Sequence, residues 1–362
     1  MFVNGHSLIL NIESDKLTLV SIEKKGARLS GVVTKEYAGF QDGKFIDLEE
    51  LYTSVKCLVD TLAYRFGIKS KKISVGVPGE FTLTKLTNAD TNVQGIVKRS
   101  HIRQLVNAET FIVPPNFRKL STEAVYFKTD ASPYKFSEPE GEECRRLSAS
   151  LTNILCERYF TDIFDDIAAR LRLQFWYLST ADVCVKYLFN RYSITEHQEY
   201  VVILLGYMST TVIRCAGDKT LSMCSFAMGT LNIAGSLTVE LDIPFSHGNA
   251  LTNKINFNIG AEDTYLVFNE GESFTYSVEK VNQIAGESLD SVGEYIARAM
   301  KSLNCAQSPV FLTGERFSSL HGVKERLSKK VGNMPILAEP SYLCLRSPEY
   351  FALVSMIKSI IR

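Results

Sequence analysis

The sequence predicts an α/β fold made of two related halves, with a smaller unit inserted into the first, on three observations. A hairpin pattern at Leu8 to Val20 recurs as Tyr200-Val-Val-Ile-Leu-Leu-Gly-Tyr-Met-Ser-Thr-Thr-Val-Ile213, and helix-bearing sequence follows each copy. A long amphipathic helix leads into the mostly apolar strand Lys72 to Pro78, the pattern of a helix laid over a sheet face. From about Phe81 to Phe160 the texture turns polar, as expected of an insertion. A chain of 362 residues is long enough for this organisation and buries about three quarters of its extended surface without metal or disulfide support.

The elements follow in order. Ser7 to Ile12, Leu17 to Ile22 and Arg28 to Glu36 are β-favouring runs that open a hairpin-rich sheet. Leu51, Val55, Leu58, Val59, Leu62 and Phe66 recur at three and four residues, which predicts a helix over Leu48 to Phe66 ended by Gly67. Within the insertion, a helix is expected at Lys98 to Val106, a strand at Ala124 to Lys128 and a loop from Ser132 to Gly141. Leu147 to Leu155 resumes the α/β texture, and helices follow at Phe160 to Leu171 and Thr180 to Phe189. In the second half, strands at Leu221 to Phe226 and near Val310, and helices at Ile233 to Leu241 and Val281 to Ser302, precede a short helix entered near Leu320 that continues over Val323 to Val331. The last helix, from Pro348, carries Tyr350, Leu353, Ile357 and Ile360 on one face and reads as docked on the core.

Charge and spacing exclude several functions. Forty Lys and Arg balance forty Asp and Glu, which weakens a nucleic-acid reading. Eight dispersed cysteines form no CxxC pair and read as buried thiols in a reducing cytoplasm. Five scattered histidines give no ligand pair. The uncharged runs Tyr200 to Ile213 and Thr220 to Val239 are respectively too short and too rich in Ser, Thr, Asn and Gly to span a bilayer. The start of the chain lacks the basic flank of a signal peptide. Glu138, Glu140, Glu142 and Glu143 read as a solvated loop.

The segments Phe40-Gln-Asp-Gly-Lys-Phe-Ile-Asp-Leu-Glu49, Lys72-Ile-Ser-Val-Gly-Val-Pro-Gly-Glu80, Phe226-Ala-Met-Gly-Thr-Leu-Asn-Ile-Ala-Gly-Ser-Leu-Thr-Val-Glu-Leu-Asp242 and Val310-Phe-Leu-Thr-Gly314 resemble those of the actin-like (ribonuclease H-like) superfamily. Within it, the resemblance is to the branch of cell-division FtsA and pilus-assembly PilM, with an FtsA-type inserted subdomain. It implies a nucleotide held between duplicated domains by two β-hairpins, with magnesium on acidic residues. The positions that match such a site are Ser14, Gly206, Ser209, Thr210, Gly229 and Gly314, and its ligands would be ATP and Mg2+; no residue is assigned as catalytic or as a metal ligand. The motifs are degenerate. Asn11 and Glu13 stand where an Asp and a turn Gly are expected, Leu204 and Thr211 where two Asp are expected, Tyr207 and Met208 in place of small turn residues, and Glu315 and Arg316 in place of two glycines.

Loss of donors and acidic anchors together removes what phosphoryl transfer requires. The expectation is a noncatalytic cytoplasmic scaffold with protein partners in a division or envelope complex, no nucleic acid, and membrane contact through a partner. Homo-oligomerisation or filament formation also follows from the resemblance. Two alternatives stand beside it: an ATP-dependent polymer former using Glu13, Asp15 and Asp218, and a PilM-like protein holding an extended partner peptide. The expected domains are 1–80 with 161–199, the insertion 81–160, and 200–362. Interaction surfaces are expected on the insertion and at Glu262 to Ser277. The chain stops at Arg362 directly after the last core helix, so attachment is expected through a partner or a tail beyond it.

Overall fold

A computed structural model of the chain describes residues 6–23, 28–107, 111–269, 271–315, 320–342 and 345–361. The first half opens with β1 (His6–Ile12), β2 (Lys16–Glu23) and β3 (Arg28–Glu36), then the short β4 (Phe40–Gln41) and β5 (Lys44–Phe45). Helix α1 (Leu48–Phe66) has the limits its periodicity predicts. Asp47 caps it by accepting from the Glu50 amide at 2.9 Å, and Gly67 ends it in the left-handed region. After β6 (Lys72–Val77) come the elements of the insertion: β7 (Thr82–Ile96), α2 (Arg99–Asn107), β8 (Phe117–Thr129), β9 (Ser132–Phe136) and β10 (Glu143–Glu157). The chain then returns through α3 (Arg158–Leu171), β11 (Gln174–Ser179) and α4 (Thr180–Arg191).

The second half runs β12 (Glu199–Leu205), β13 (Thr210–Ala216), β14 (Lys219–Phe226), α5 (Thr230–Leu241) and α6 (Phe245–Thr252). It continues through β15 (Thr264–Asn269), β16 (Glu272–Ser277), α7 (Val278–Ser302), β17 (Val310–Thr313), α8 (Val323–Val331), β18 (Ile336–Leu337) and α9 (Phe351–Ile361). The two main sheets share one plan. In the order β3-β2-β1-β6-β11, the first three strands are antiparallel and the last two join in parallel; β14-β13-β12-β17-β18 repeats that order and those senses.

Four apolar clusters hold these layers. One face of the first sheet packs on α1 and α3 through Leu10, Leu51, Leu58 and Phe164. The second sheet packs on α5, α7 and α8 through Val201, Leu237, Leu289 and Leu327. Between the sheets, Ile9 and Val20 of the first and Val202 and Ile213 of the second meet α4 and α9 at Val185, Leu353 and Met356. The insertion has its own small core around Leu105, Phe127 and Leu147.

Several expectations are corrected. Ser132 to Phe136 is a strand rather than loop; it lies at a sheet edge, where Pro133 has no ladder amide to supply. The strand expected at Ala124 to Lys128 extends back to Phe117, and β7 and β11 add strands that polarity and shortness hid. The helix expected near Leu320 begins at Val323, after Gly322 in the left-handed region. Cys57 is exposed on α1, and Cys224 is half-buried, whereas Cys144, Cys156, Cys184, Cys215 and Cys305 are buried; Cys344 lies outside the described residues.

Candidate functional site

The turns of the two duplicated hairpins, β1–β2 and β12–β13, face each other across the cleft between the halves. Their approach depends on residues without side chains. At Gly206 a Cβ would lie 2.5 Å from the Ser209 carbonyl oxygen. At Gly314, φ is +142° and a Cβ would lie 2.1 Å from the Leu205 carbonyl oxygen, so only glycine brings the end of β17 this close to β12.

Glu315, the next residue, reaches into the gap. Its Oε2 accepts the Ser14 hydroxyl at 2.8 Å and the Tyr207 amide at 3.2 Å. The Met208 amide donates in turn to Ser14 Oγ at 3.2 Å. Glu13 lies beside them, buried, with Oε1 accepting from Asn11 Nδ2 at 2.8 Å and Oε2 paired with Lys16 Nζ at 2.8 Å. Burial pushes Glu13 up to about 8, and Glu315 adds to the rise while Lys16 opposes it. Burial also raises Glu315, against the hydrogen bonds from Ser14 and Tyr207 that favour its ionised form.

The expected nucleotide positions are assembled here, but most of their polar groups are engaged. Thr210 is fully buried and donates to the Met228 carbonyl at 2.7 Å. The Ser209 carbonyl accepts the Gly206 amide at 2.8 Å and closes the turn. Gly229 is the N-cap of α5, whose Thr230 and Leu231 amides are taken by the carbonyls of Gly206 and Tyr207. Thr211 bonds Ser225 Oγ at 2.8 Å, and its side chain fills the space beside Gly79, where a Cβ would lie 2.4 Å from Thr211 Oγ1. The Tyr207 ring turns away toward α6, its hydroxyl bonding Asn249. Arg316 lies outside the described residues.

The remaining cavity, lined by Asn11, Glu13, Leu204, Thr313, Glu315 and Glu349 among others, has a volume of ≈ 70 Å³. Asp218 does not join it. It follows the far end of β13 and pairs with Lys219 at 3.0 Å, so the role given to Asp218 in an alternative phosphate site is corrected. Among the described residues no three His, Cys, Asp or Glu side chains are grouped to hold a metal ion.

The second and larger cavity, ≈ 370 Å³, opens between the insertion and the first half. Leu120, Ser121 and Glu123 of β8 line one wall, with Tyr177 and Leu178 of β11 opposite and Lys358 of α9 beneath. Strand β11 ends the first sheet, and β8 pairs with β9 only at Phe127 and Thr129, so each presents a strand edge. Neither edge nor cavity is legible in the sequence, because the segments that form them are far apart along the chain.

The repeated sheet plan with facing hairpin turns defines an actin-like ATPase fold. Among solved structures, the chain is similar to one of the PilM-PilN type IV pilus biogenesis complex, with a TM-score of 0.67 and 13% identity over 98% of both chains. It is also similar to MreB5 of Spiroplasma citri bound to ADP, with a TM-score of 0.58 and 8% identity over 99% of this chain and 98% of that one. A third similarity is to the ethanolamine utilization protein EutJ from Carboxydothermus hydrogenoformans, with a TM-score of 0.56 and 12% identity over 98% and 92%. No family model and no curated protein matches the sequence.

Proposed function

We propose that the chain is a nonenzymatic actin-like scaffold or adaptor in a bacterial division or envelope-assembly complex, working through protein-binding surfaces without nucleotide turnover. The observation that carries this reading is the closed cleft. A cavity of ≈ 70 Å³ is well below the roughly 300 Å³ at which small-molecule pockets begin. The turn donors that would meet a phosphate, the Ser14 hydroxyl and the Tyr207 amide, are already taken by the Glu315 carboxyl.

The larger cavity supports a peptide-binding role, in keeping with the similarity to a protein of the PilM-PilN type IV pilus biogenesis complex. An extended segment entering between β8 and β11 would find two strand edges to pair with and apolar walls at Leu120, Ile154 and Leu178. On this reading the protein works in the cytoplasm and meets the membrane through its partner, and it admits self-association. No described helix is long and apolar enough to cross a bilayer. The division into 1–80 with 161–199, 81–160 and 200–362 is part of the proposal, supported by a separate core in the insertion.

Magnesium-ATP titration tests the central claim. The expected result is an unchanged Tm and no phosphate release above background at millimolar ATP. Saturable stabilisation accompanied by turnover that disappears in Glu13→Ala would replace the scaffold reading with an ATPase.

A further inference from the structure

We propose that the two hairpin turns form an oxyanion site whose resident group is the chain's own Glu315 carboxyl, which latches the two halves together without a ligand. The donors have the chemistry of such a site: a backbone amide at a glycine-containing turn and a hydroxyl, both directed at a single oxygen. The hydroxyl's direction is fixed by its other bond. Ser14 Oγ accepts from the Met208 amide, so its own hydrogen is directed to Glu315, giving an ordered chain from Met208 N–H through Ser14 O–H to the carboxyl.

Ser14 contributes from the first half, and Tyr207, Met208 and Glu315 from the second. The Ser14 and Glu315 partners are separated by 301 residues and the Met208 and Ser14 partners by 194, so both bonds tie the halves together. Ser14 is buried, with 1% of its surface exposed, which shields these bonds from competing water. The position of Glu315 is set by the close approach at Gly314. The surroundings suit one resident anion and no second: Asp15 on the facing β1–β2 turn adds negative charge beside Glu315, and Lys16 is paired with Glu13.

This inference deepens the nucleotide-independent reading by naming what occupies the cleft, and its test can fail separately. Amide hydrogen exchange would be followed over residues 12–16 and 206–210 in the parent, Glu315→Ala and Glu315→Gln. Glu315→Ala is expected to exchange at least about tenfold faster in both segments. Glu315→Gln keeps an acceptor oxygen and is expected to stay within about threefold of the parent. Inorganic phosphate at about 10 mM, enough to load a weak site, should restore protection and raise the Tm of Glu315→Ala while leaving the parent unchanged.

Parent-like protection in Glu315→Ala would overturn the latch. Lost protection that phosphate does not restore would overturn the oxyanion assignment. Should Glu315→Ala fail to fold, Ser14→Ala carries the same exchange measurement, with the same tenfold loss expected and unchanged protection again overturning the latch. ATP binding by the parent would sink the scaffold reading, whereas an unlatched Glu315→Ala beside an ATP-silent parent would confirm both.

Discussion

At Glu13 the β1–β2 turn buries a carboxyl where a phosphate-binding turn would present bare backbone. Its neighbours are Glu315, Asp15 and Lys16, and the Tyr37 hydroxyl donates to its carbonyl at 3.0 Å. The folded protein holds the Glu13 proton up to about pH 8, whereas the unfolded chain releases it near the ordinary glutamate value of 4.5. Between those values the unfolded state binds fewer protons, so this contribution to stability is complete below pH 4.5 and is lost as pH rises through 8. Glu13→Gln is therefore expected to show a flatter fall in Tm between about pH 5 and pH 8. An equally steep fall in the variant would remove Glu13 as its source. The sequence already shows a charge at this turn; that Glu315 acts on it depends on distant segments brought together.

Helix α9 shows what an element contributes beyond its own turns. Its apolar spacing predicted a core-docked helix, and Phe351, Leu353, Met356 and Ile357 are all buried. What the spacing did not reveal is that the helix is shared: the cluster around Met356 and Leu353 contains Ile9 from one main sheet and Val202 from the other. The Met356 sulfur also sits against Gly76 of β6, where a Cβ would meet it at 2.6 Å. Met356→Ala is expected to cost about 2–5 kcal/mol. Urea denaturation followed by probes in each half should show both transitions moving together, and a loss confined to one half would contradict a common core.

The strands were legible unevenly for a physical reason. Strand β7 has few buried positions and a Thr- and Asn-rich sequence, so it carries little of the alternation that marks a half-buried strand. It becomes a strand through a long antiparallel pairing with β10.

Across the whole molecule, the insertion is tied to both halves by a small ionic network. Glu123 of β8 pairs with Lys186 of α4 and, at 3.2 Å, with Lys219 of β14, while Lys186 also pairs with Asp182 at 2.7 Å. Burial alone would raise Glu123, but the two lysines hold it below the usual carboxylate range. Glu123→Gln is expected to cost about 2 kcal/mol. It should also speed amide exchange in β8 near residue 123 while leaving the central helices protected. Unchanged exchange there would show that packing alone positions the insertion.

Local sequence determined the beginnings and ends of helices such as α1, the two hairpins and their repetition, and the bulky and acidic residues Glu13, Tyr207 and Met208 at the hairpin turns. These features depend on periodicity, capping and turn chemistry over a few residues, so they are written where they act. Only the tertiary structure decided that Glu315 meets Ser14, that α9 serves both sheets, and that the edges of β8 and β11 border a cavity. Each depends on groups brought together by chain crossings and close backbone approaches, and no local pattern records which distant partner will fill the space.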